Sequence, residues 1–324
     1  MKHGGVKWDK EGPESINDFS VNLNPLGSLP IIEELIREAI HKKVYKYYPP
    51  EDYRKLKEFI AELYNIDIDL IGVFNGSSEA IKLIDKKCNV PEPNFSEYKR
   101  GSSYFAIEKG NTFEYFLSGD CVITSNPVNP TGSFIKENEI LNFLSLGREL
   151  ILDESFIDIS LVSSSIKYTR DYANLLIISS FTKSLSIPGL RLGFTIGKES
   201  IKLEEKAPPW RINSVVYYVF TNLNPKEVKD FLKKSRKEVK RLIDDLKNVK
   251  VKFKIYDTVA PYFLVEFPIS ASKVNQILRK YGYQIREPYG FLGLRETHGR
   301  ISLKNDFKDL LLLIDKILEC EKLY

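Results

Sequence analysis

The sequence predicts an α/β protein in which a doubly wound, mostly parallel sheet forms a large domain and a smaller α+β domain follows. Short apolar strands alternate with amphipathic helices over the first part of the chain, which is the pattern of a parallel sheet with helical crossovers. These strands are Leu70–Phe74, Cys121–Ser125, Glu149–Asp153 and Leu175–Ile178. The long charged helix Lys226–Lys247 then leads to shorter elements. A chain of 324 residues is long enough for two domains.

We expect residues 31–221 to form the large domain, and residues 1–30 together with 222–324 to form the small domain with an N-terminal arm. The arm is irregular and rich in Gly, Asn and Pro, but apolar residues alternate along Phe19–Leu23. That alternation favours a segment pinned to the rest of the fold over a disordered one.

Two amphipathic helices precede the first strand. The first begins at Pro30 and ends at the tyrosine–proline segment 47–50, and the second runs from Tyr53 to Tyr64. After the connecting helix we expect strands Lys250–Tyr256, Tyr262–Phe267 and Tyr283–Arg286, the segment Gly299–Leu303, and helices around Val274–Leu278 and Phe307–Leu318.

The first strand runs into Asn75-Gly76-Ser77-Ser78-Glu79, a glycine turn that starts a helix. Free backbone N–H groups and the helix dipole at such an end bind anions, typically phosphate. The turn is neither a P-loop nor a dinucleotide-binding glycine motif. A capped helix after a strand is also ordinary in α/β folds, so the turn alone does not decide for an anion site.

Polar residues follow the three further strands. Asn129 lies in the rigid turn Asn126–Gly132, Asp153 ends its strand, and Lys183 follows two serines. In a doubly wound sheet, ligands bind at the carboxyl ends of the strands. Each residue also fits an ordinary role as a turn former, helix cap or surface lysine, but their convergence on one edge favours a shared site.

Lys183 has few charged neighbours in the sequence. A low-charge setting lowers the pKa of a lysine by disfavouring the ammonium form, and the free amine attacks carbonyl groups to form a Schiff base. The alternative is a lysine whose ammonium group reaches solvent from a buried loop. Lys183 alone leaves both open.

Composition argues against nucleic acids and membranes as partners. The net charge of +4 is spread along the chain, no basic block alternates with aromatic residues, and no apolar run is long enough to span a bilayer. The three cysteines have no metal-ligand spacing and fit reduced, mostly buried thiols, and the first residues do not resemble a signal peptide. We therefore expect a cytoplasmic protein without a metal site.

Four motifs together resemble the fold-type I pyridoxal-phosphate enzymes, and the resemblance covers nearly the whole chain. They are Asn75-Gly76-Ser77-Ser78-Glu79, Asn126-Pro127-Val128-Asn129-Pro130-Thr131-Gly132, Asp153-Glu154, and Ser180-Phe181-Thr182-Lys183 with Gly189-Leu190-Arg191. The resemblance implies pyridoxal 5'-phosphate as the cofactor, bound covalently to Lys183. It also implies that Asp153 pairs with the ring nitrogen, so that the ring acts as an electron sink, and that Asn129 donates to the ring oxygen.

The same resemblance implies how the rest of the cofactor is held. The phosphate contacts would be Gly76, Ser77, Ser78, Ser180 and Arg191. Phe95 would stack on the ring. Tyr48 would reach the phosphate of the other subunit's cofactor, which implies a homodimer.

For a small phosphorylated amino acid as substrate, the resemblance implies that Arg300 binds the α-carboxylate and that Arg286 binds a second anion. His3, followed by two glycines, would fold over the site and meet a phosphate, and Asn24 would be a further substrate contact. A disordered N-terminus is the alternative for His3. The segment Gly290–His298 is atypical of the family.

Within the family, the chain resembles the branch of the histidinol-phosphate aminotransferases and threonine-phosphate decarboxylases. Three features favour the decarboxylases: the opening His3-Gly4-Gly5, the segment 18–27, and Asp153-Glu154-Ser155-Phe156-Ile157-Asp158. The aminotransferases usually carry a tyrosine where Phe156 stands. The expected reaction is decarboxylation of L-threonine O-3-phosphate to (R)-1-amino-2-propanol phosphate, for the cobalamin side chain. The alternatives are transamination of histidinol phosphate or another amino acid, and a catalytically silent binding protein of the same fold.

Overall fold

A computed structural model describes residues 3–321 of the chain. The helices are α1 Pro30–His41, α2 Arg54–Tyr64, α3 Ser77–Leu83, α4 Glu137–Ser145, α5 Phe181–Ser184, α6 Ser200–Glu204, α7 Ser214–Asn222, α8 Pro225–Lys247, α9 Ala271–Lys280 and α10 Phe307–Glu321. The strands are β1 Trp8–Asp9, β2 Gly12–Pro13, β3 Asn17–Asp18, β4 Ile71–Phe74, β5 Cys88–Glu92, β6 Arg100–Phe105, β7 Ile107–Lys109, β8 Thr112–Glu114, β9 Cys121–Ser125, β10 Glu149–Asp153, β11 Leu175–Ser180, β12 Gly193–Ile196, β13 Lys254–Ile255, β14 Tyr262–Glu266, β15 Tyr283–Gln284 and β16 His298–Ser302.

A seven-stranded sheet forms the centre of the larger part of the molecule, in the order β4–β12–β11–β10–β9–β5–β6. The strands from β11 to β6 in this order are parallel to one another, whereas β12 runs antiparallel to both β11 and β4. The predicted α/β fold with a mostly parallel sheet is confirmed. The register sets Asp153 beside Ser125 and Ile178, so the carboxyl ends of three strands open on one edge.

The strands of this sheet are short apolar runs covered on both faces. Every residue of β4, β11 and β12 is buried, as expected when helices lie on each side of a sheet. The helix α2 packs against β4 through an apolar stripe at helical spacing. That stripe consists of Leu56, Phe59, Ile60 and Leu63.

The helix α8 joins two apolar cores. Val228 and Leu232, near its N-terminus, belong to the core of the large sheet, whereas Val239 and Leu246 belong to a second core. The second core is built from α9, α10 and a three-stranded sheet of β13, β14 and β16. The helix thus has the connecting position expected from the sequence, and the domain boundary between residues 221 and 222 stays a prediction.

The N-terminal arm is pinned to the smaller part of the molecule. The strand β3 pairs with β15 in parallel, and Phe19 is fully buried in the second core. The Phe19 N–H donates to the carbonyl of Gln284, and the Ser302 N–H donates to the carbonyl of Phe19. The apolar alternation in the arm therefore predicted an ordered segment correctly.

Several parts of the chain differ from the sequence prediction, among them the unpredicted strand β12 and helices α6 and α7. The strand expected at Lys250–Tyr256 is only two residues long, because the Lys252 N–H donates to the Asp315 side chain instead of to a neighbouring strand. Residues 85–120 contain the four strands β5 to β8, where no element was predicted. The strand β5 contains Pro91 and β6 is largely exposed, so neither shows the apolar alternation that signals a strand.

The cysteines also differ from the prediction. Cys88 and Cys121 begin the adjacent strands β5 and β9 and form a disulfide, with their Cα atoms 4.9 Å apart, while Cys320 is free and exposed. The expectation of reduced, mostly buried thiols is wrong, because parallel pairing brings two of these side chains together. The cytoplasmic location that the thiols supported stays a prediction. Among the described residues, no helix has the length and apolarity needed to cross a bilayer.

Candidate active site

A cavity of about 490 Å³ opens at the carboxyl edge of the large sheet. Most residues singled out in the sequence line it, namely His3, Ser77, Ser78, Phe95, Asn129, Asp153, Ser180, Lys183, Arg191, Arg286 and Arg300. Gly76, Tyr48 and Asn24 are not part of its wall. The wall also contains Asn22, Tyr98, Phe156, Thr182 and Phe291. The arm, the large sheet and the smaller part of the molecule therefore meet around one space.

Lys183 lies in the one-turn helix α5, directly after β11. The Ser180 hydroxyl accepts the Thr182 N–H at 3.1 Å and fixes the start of this turn. Burial, with smaller contributions from the charges of Arg300 and Arg191, lowers the pKa of Lys183 to about 8. A free amine is therefore accessible near neutral pH, which favours the reactive lysine over one that only reaches solvent.

Asp153 ends β10 and is held in one orientation by three hydrogen bonds. The Ser155 hydroxyl and N–H donate to Oδ1 at 2.6 and 3.0 Å, and the Tyr98 hydroxyl donates to Oδ2 at 3.0 Å. Burial raises the pKa of Asp153, and these hydrogen bonds oppose the rise. A buried, oriented carboxyl group of this kind is suited to pair with a cationic nitrogen.

The Gly76 turn and Arg191 lie against each other beside the cavity. Gly76 has a φ of +75°, which favours glycine, and a Cβ atom on it would lie 2.3 Å from Nη2 of Arg191 and displace the guanidinium group. Gly193 is equally constrained, since a Cβ atom there would lie 2.2 Å from the Ser77 nitrogen. The first N–H groups of α3 have no acceptor within the helix. Together with the guanidinium they form a cradle for an anion such as phosphate.

Arg286 and Arg300 form a buried pair in the wall of the cavity. Their backbones exchange N–H···O hydrogen bonds at 3.0 and 2.9 Å. Arg300 donates from Nη1 to Oδ1 of Asn129 at 2.5 Å and from Nη2 to the carbonyl of Ser20 at 2.8 Å, and within residues 3–321 its buried Nε has no partner. Burial, followed by the charge of Arg286, lowers the pKa of Arg300 to about 9. A bound anion would offset the free-energy cost of burying the positive charge of Arg300.

The N-terminal arm lies across the mouth of the cavity. The Gly5 N–H donates to the Ser20 hydroxyl at 2.9 Å, and Nε2 of His3 lies 3.3 Å from Oε1 of Glu97. From residue 3 onward the arm is therefore ordered, and the alternative of a disordered N-terminus does not apply to this part of it. The contact of His3 with a substrate phosphate stays a prediction.

Asn24 differs from its prediction as a substrate contact. Its Nδ2 donates to the Ser184 carbonyl and to the Ser235 hydroxyl, both at 2.7 Å, so its side chain anchors the arm to α5 and α8. Asn22 lines the cavity instead. Both atoms of its amide are buried and lack a partner in the described part of the chain. The sequence pattern Asn-x-Asn contains the right residue type, but not the information on which asparagine faces the cavity.

The two aromatic residues predicted to contact the cofactor lie in different places. Phe95 and Tyr98 form a T-shaped pair with ring centroids 5.6 Å apart, and both line the wall. Tyr98 was not singled out in the sequence, although it lies in the same short segment as Phe95. Tyr48 is 76% exposed, and its ring centroid lies 4.4 Å from that of Trp210, outside the cavity.

These residues fit pyridoxal 5'-phosphate. The Gly76 turn offers a phosphate cradle, Asp153 a buried carboxyl group for a ring nitrogen, and Lys183 an amine of lowered pKa for an aldehyde. Because Oδ1 of Asn129 accepts from Arg300, the amide N–H groups of Asn129 are left to donate to a ring oxygen. We propose this cavity as the cofactor site. The proposed cofactor contacts are Gly76, Ser77, Ser78, Phe95, Asn129, Asp153, Ser180, Lys183 and Arg191.

The lowered pKa of Lys183 predicts how cofactor attachment depends on pH. If only the free amine reacts, a pKa of about 8 makes the attachment rate of the apoprotein increase about tenfold between pH 7 and pH 9 and then level off. A lysine of ordinary pKa would instead show an increase of roughly a hundredfold, continuing above pH 10. The rate is followed by absorbance, and borohydride reduction with peptide mapping should place the cofactor on Lys183. A label on another lysine would contradict the assignment.

Comparison with known proteins agrees with this geometry. The family model for aminotransferases of class I and II matches residues 14–317. A protein of Caldanaerobacter subterraneus subsp. tengcongensis, whose name gives threonine-phosphate decarboxylase as a provisional assignment, is 29% identical, over 94% of this chain and 89% of its own. The adenosylcobalamin biosynthesis bifunctional protein CobDQ of Leptospira interrogans is 28% identical, over 94% of this chain and 39% of its own.

Other relatives carry a different name. The crystal structure of the histidinol-phosphate aminotransferase from Clostridium acetobutylicum has a TM-score of 0.81 and 27% identity, and the match covers 94% of this chain and 99% of that one. Several further relatives, at 26–29% identity, are also histidinol-phosphate aminotransferases. Both groups of names belong to the branch that the sequence motifs indicate.

Proposed function

The chain belongs to the class I and II aminotransferase family, and from this membership we propose that it decarboxylates L-threonine O-3-phosphate, with pyridoxal 5'-phosphate as its cofactor. The product is (R)-1-amino-2-propanol phosphate, which serves the cobalamin side chain. The observation that carries the proposal is the buried pair Arg286 and Arg300, with His3 and Asn22 beside it at the mouth of the cavity. A substrate with both a carboxylate and a phosphate needs two cationic contacts. Histidinol phosphate has a phosphate but no carboxylate.

When bound, pyridoxal 5'-phosphate supplies an electron sink that stabilises the charge left at the substrate Cα when a bond there breaks. The residues around it would select the bond that breaks, because they orient the substrate relative to the cofactor. Arg300 holds the α-carboxylate and thereby sets the direction of the bond between Cα and the carboxylate. Asp153 keeps a proton on the ring nitrogen. Lys183 would supply the proton that Cα takes up in place of the departing carboxylate, since an ammonium group with a pKa of about 8 is an effective acid near neutral pH.

Phe156 supports decarboxylation over transamination. It stands where the aminotransferases usually carry a tyrosine whose hydroxyl meets the ring oxygen. Its ring packs edge-on against Tyr262, with centroids 5.0 Å apart, and it lines the cavity without a hydroxyl. Asn129 is left as the main polar partner of the ring oxygen.

Transamination is the second candidate, because its carboxylate-bearing partner would use the same arginine pair and many relatives carry the name of a histidinol-phosphate aminotransferase. The test supplies threonine phosphate without any 2-oxo acid and follows carbon dioxide and keto-acid product in the same reaction. If the protein is a decarboxylase, the reaction releases carbon dioxide and forms no keto acid. If neither forms with any substrate although the cofactor is bound, the protein is the catalytically silent alternative.

We also propose a homodimer in which Tyr48 completes the cofactor site of the partner subunit. Tyr48, which is 76% exposed, lies in an exposed aromatic surface. The other members of this surface are Tyr45 at 54%, Tyr47 at 72% and Trp210 at 42% exposure. Exposed aromatic clusters of this kind mark protein interfaces. Tyr48 does not line the cavity of its own subunit, which is the arrangement expected of a residue that acts across an interface.

Mixing two variants tests this arrangement. Tyr48→Phe removes the hydroxyl that binds the partner's cofactor phosphate and should lower activity by about tenfold, as for one hydrogen bond to a charged group. Lys183→Ala should be inactive. Heterodimers of the two contain one fully intact site and should exceed the activity of both parents. With Tyr47→Phe as the matched control, mixing should bring no such gain, and no recovery in confirmed heterodimers of the Tyr48 variant would show that Tyr48 serves its own subunit.

A further inference from the structure

A loop of residues 288–297 covers the arginine pair from the side of the small domain. Phe291, in its middle, is 7% exposed and lines the cavity. Its ring centroid lies 5.1 Å from Cζ of Arg286 and 5.7 Å from Cζ of Arg300. One aromatic ring therefore contacts both guanidinium groups that the proposed function assigns to the substrate.

Phe291 is not a core residue of the ordinary kind. It belongs to none of the three apolar clusters that the described residues form, although its neighbour Leu294 packs against the largest of them. Its ring thus faces cations and the cavity. Guanidinium groups are attracted to the face of an aromatic ring, and more strongly where water is excluded.

The backbone of the loop is built to hold this ring in place. Gly290 and Gly293 have φ values of +91° and +86°, in the region that favours glycine. A Cβ atom on Gly293 would lie 2.9 Å from ring atoms of Phe105. The loop therefore needs glycine where it crosses β6, and the two glycines flank the Phe291 segment.

An ion-pair network fixes the far end of the same loop. Arg295 donates from Nη1 to Oε2 of Glu108 at 2.8 Å and from Nε to Oε1 of Glu266 at 2.7 Å. Glu108 lies on β7 and Glu266 ends β14. Arg295 thus ties the loop to both parts of the molecule.

We propose that Phe291 is a positioning residue that determines the affinity for dianionic substrates, by holding the guanidinium groups of Arg286 and Arg300 between its ring and the cavity. This inference rests on the proposed function, because it assumes that the two arginines bind the two anionic groups of one substrate. The ring lies against both guanidinium groups and limits their hydration on that side, and the Tyr262 ring, with its centroid 5.7 Å from Cζ of Arg300, adds a second aromatic contact to Arg300.

Among the described residues, Nη1 and Nη2 of Arg300 donate to Asn129 and Ser20 while its buried Nε has no partner. Nη2 of Arg286 donates to the Tyr289 carbonyl at 2.7 Å. Both guanidinium groups are therefore already oriented, and less ordering is needed when a ligand binds.

The test uses the holoenzyme and a ligand that cannot react. The probe is 3-phosphonopropionate, which carries a carboxylate and a phosphonate but no amine, and its dissociation constant is measured by calorimetry. Phe291→Leu keeps an apolar side chain without an aromatic face and should weaken binding about tenfold. Phe291→Tyr keeps the face and should stay within twofold. Phe105→Leu is the matched control, because it makes the same change on the other side of the loop, and it should also stay within twofold.

Kinetics with threonine phosphate give a second readout. Phe291→Leu should increase KM about tenfold and change kcat by a smaller factor, because the cofactor contacts are elsewhere. Binding of the probe to Phe291→Leu within twofold of wild type, or equal losses in the Leu and Tyr variants, would overturn the inference. These outcomes are distinct from failure of the proposed function, which is seen in the wild-type protein as the absence of carbon dioxide release. Cofactor absorbance and melting temperature confirm that each variant is folded.

Discussion

Replacing Asp153 by asparagine is expected to leave pyridoxal 5'-phosphate bound and to lower kcat by roughly 10²–10³-fold, the usual loss when a preorganised electrostatic partner is removed. The amide carries no charge and cannot keep a proton on the ring nitrogen, so the electron sink is weakened. The phosphate cradle and Lys183 are unchanged. The measurement is kcat with threonine phosphate, with the cofactor content of the same samples read from absorbance.

Tyr98→Phe is the matched control, because it removes only the hydroxyl that donates to Asp153 and leaves the charge in place. A loss of about tenfold or less is expected for it. Near wild-type turnover of Asp153→Asn would mean that another acid serves the ring nitrogen. Glu154 and Asp158 are the nearest acids in the sequence, but both are hydrogen-bonded elsewhere and neither lines the cavity.

Arg300→Ala is expected to weaken binding of threonine phosphate by roughly 2–5 kcal/mol, as for the loss of a buried charge partner. The arginine is buried with a pKa lowered to about 9, so a carboxylate bound there restores the electrostatic balance. The measurement is the dissociation constant from the change in cofactor absorbance on mixing. Arg300→Lys should recover only part of the loss, because a lysine cannot offer two parallel donors.

A ligand without the carboxylate provides the control for this prediction. The proposed product, 1-amino-2-propanol phosphate, should bind to Arg300→Ala nearly as well as to wild type. An equal loss for substrate and product would show that Arg300 acts through Asn129 and Ser20, whose oxygen atoms it also holds, and not through a carboxylate.

Much of the cofactor side of the site could be predicted from the sequence. Asn129, Asp153 and Lys183 each follow a short apolar strand, and in a parallel sheet such ends meet at one edge. The strand pattern therefore placed these side chains together without any tertiary information. The Gly76 turn was likewise indicated by the strand before it, whereas the role of Arg191 required the family resemblance, because its contact with Gly76 joins segments far apart in the chain.

The substrate side was harder to predict because it depends on loops. Asn22 and Asn24 are two positions apart, and only the docking of the arm decides that Asn24 bonds to Ser184 while Asn22 faces the cavity. Phe291 lies in a loop whose path is set by two glycines with positive φ and by distant ion pairs. Such contacts have no periodic signature in a sequence. The disulfide between Cys88 and Cys121 was missed for the same reason, since β5 was not recognised as a strand.

The most direct test of the decarboxylase proposal is a reaction in deuterium oxide with L-threonine O-3-phosphate as the only substrate. We expect stoichiometric carbon dioxide, no 2-oxo acid, and 1-amino-2-propanol phosphate with a single deuteron at the former Cα, delivered by Lys183. No 2-oxoglutarate should be needed. Turnover of histidinol phosphate that depends on 2-oxoglutarate, without carbon dioxide release from threonine phosphate, would contradict the proposal and assign the protein to the aminotransferases.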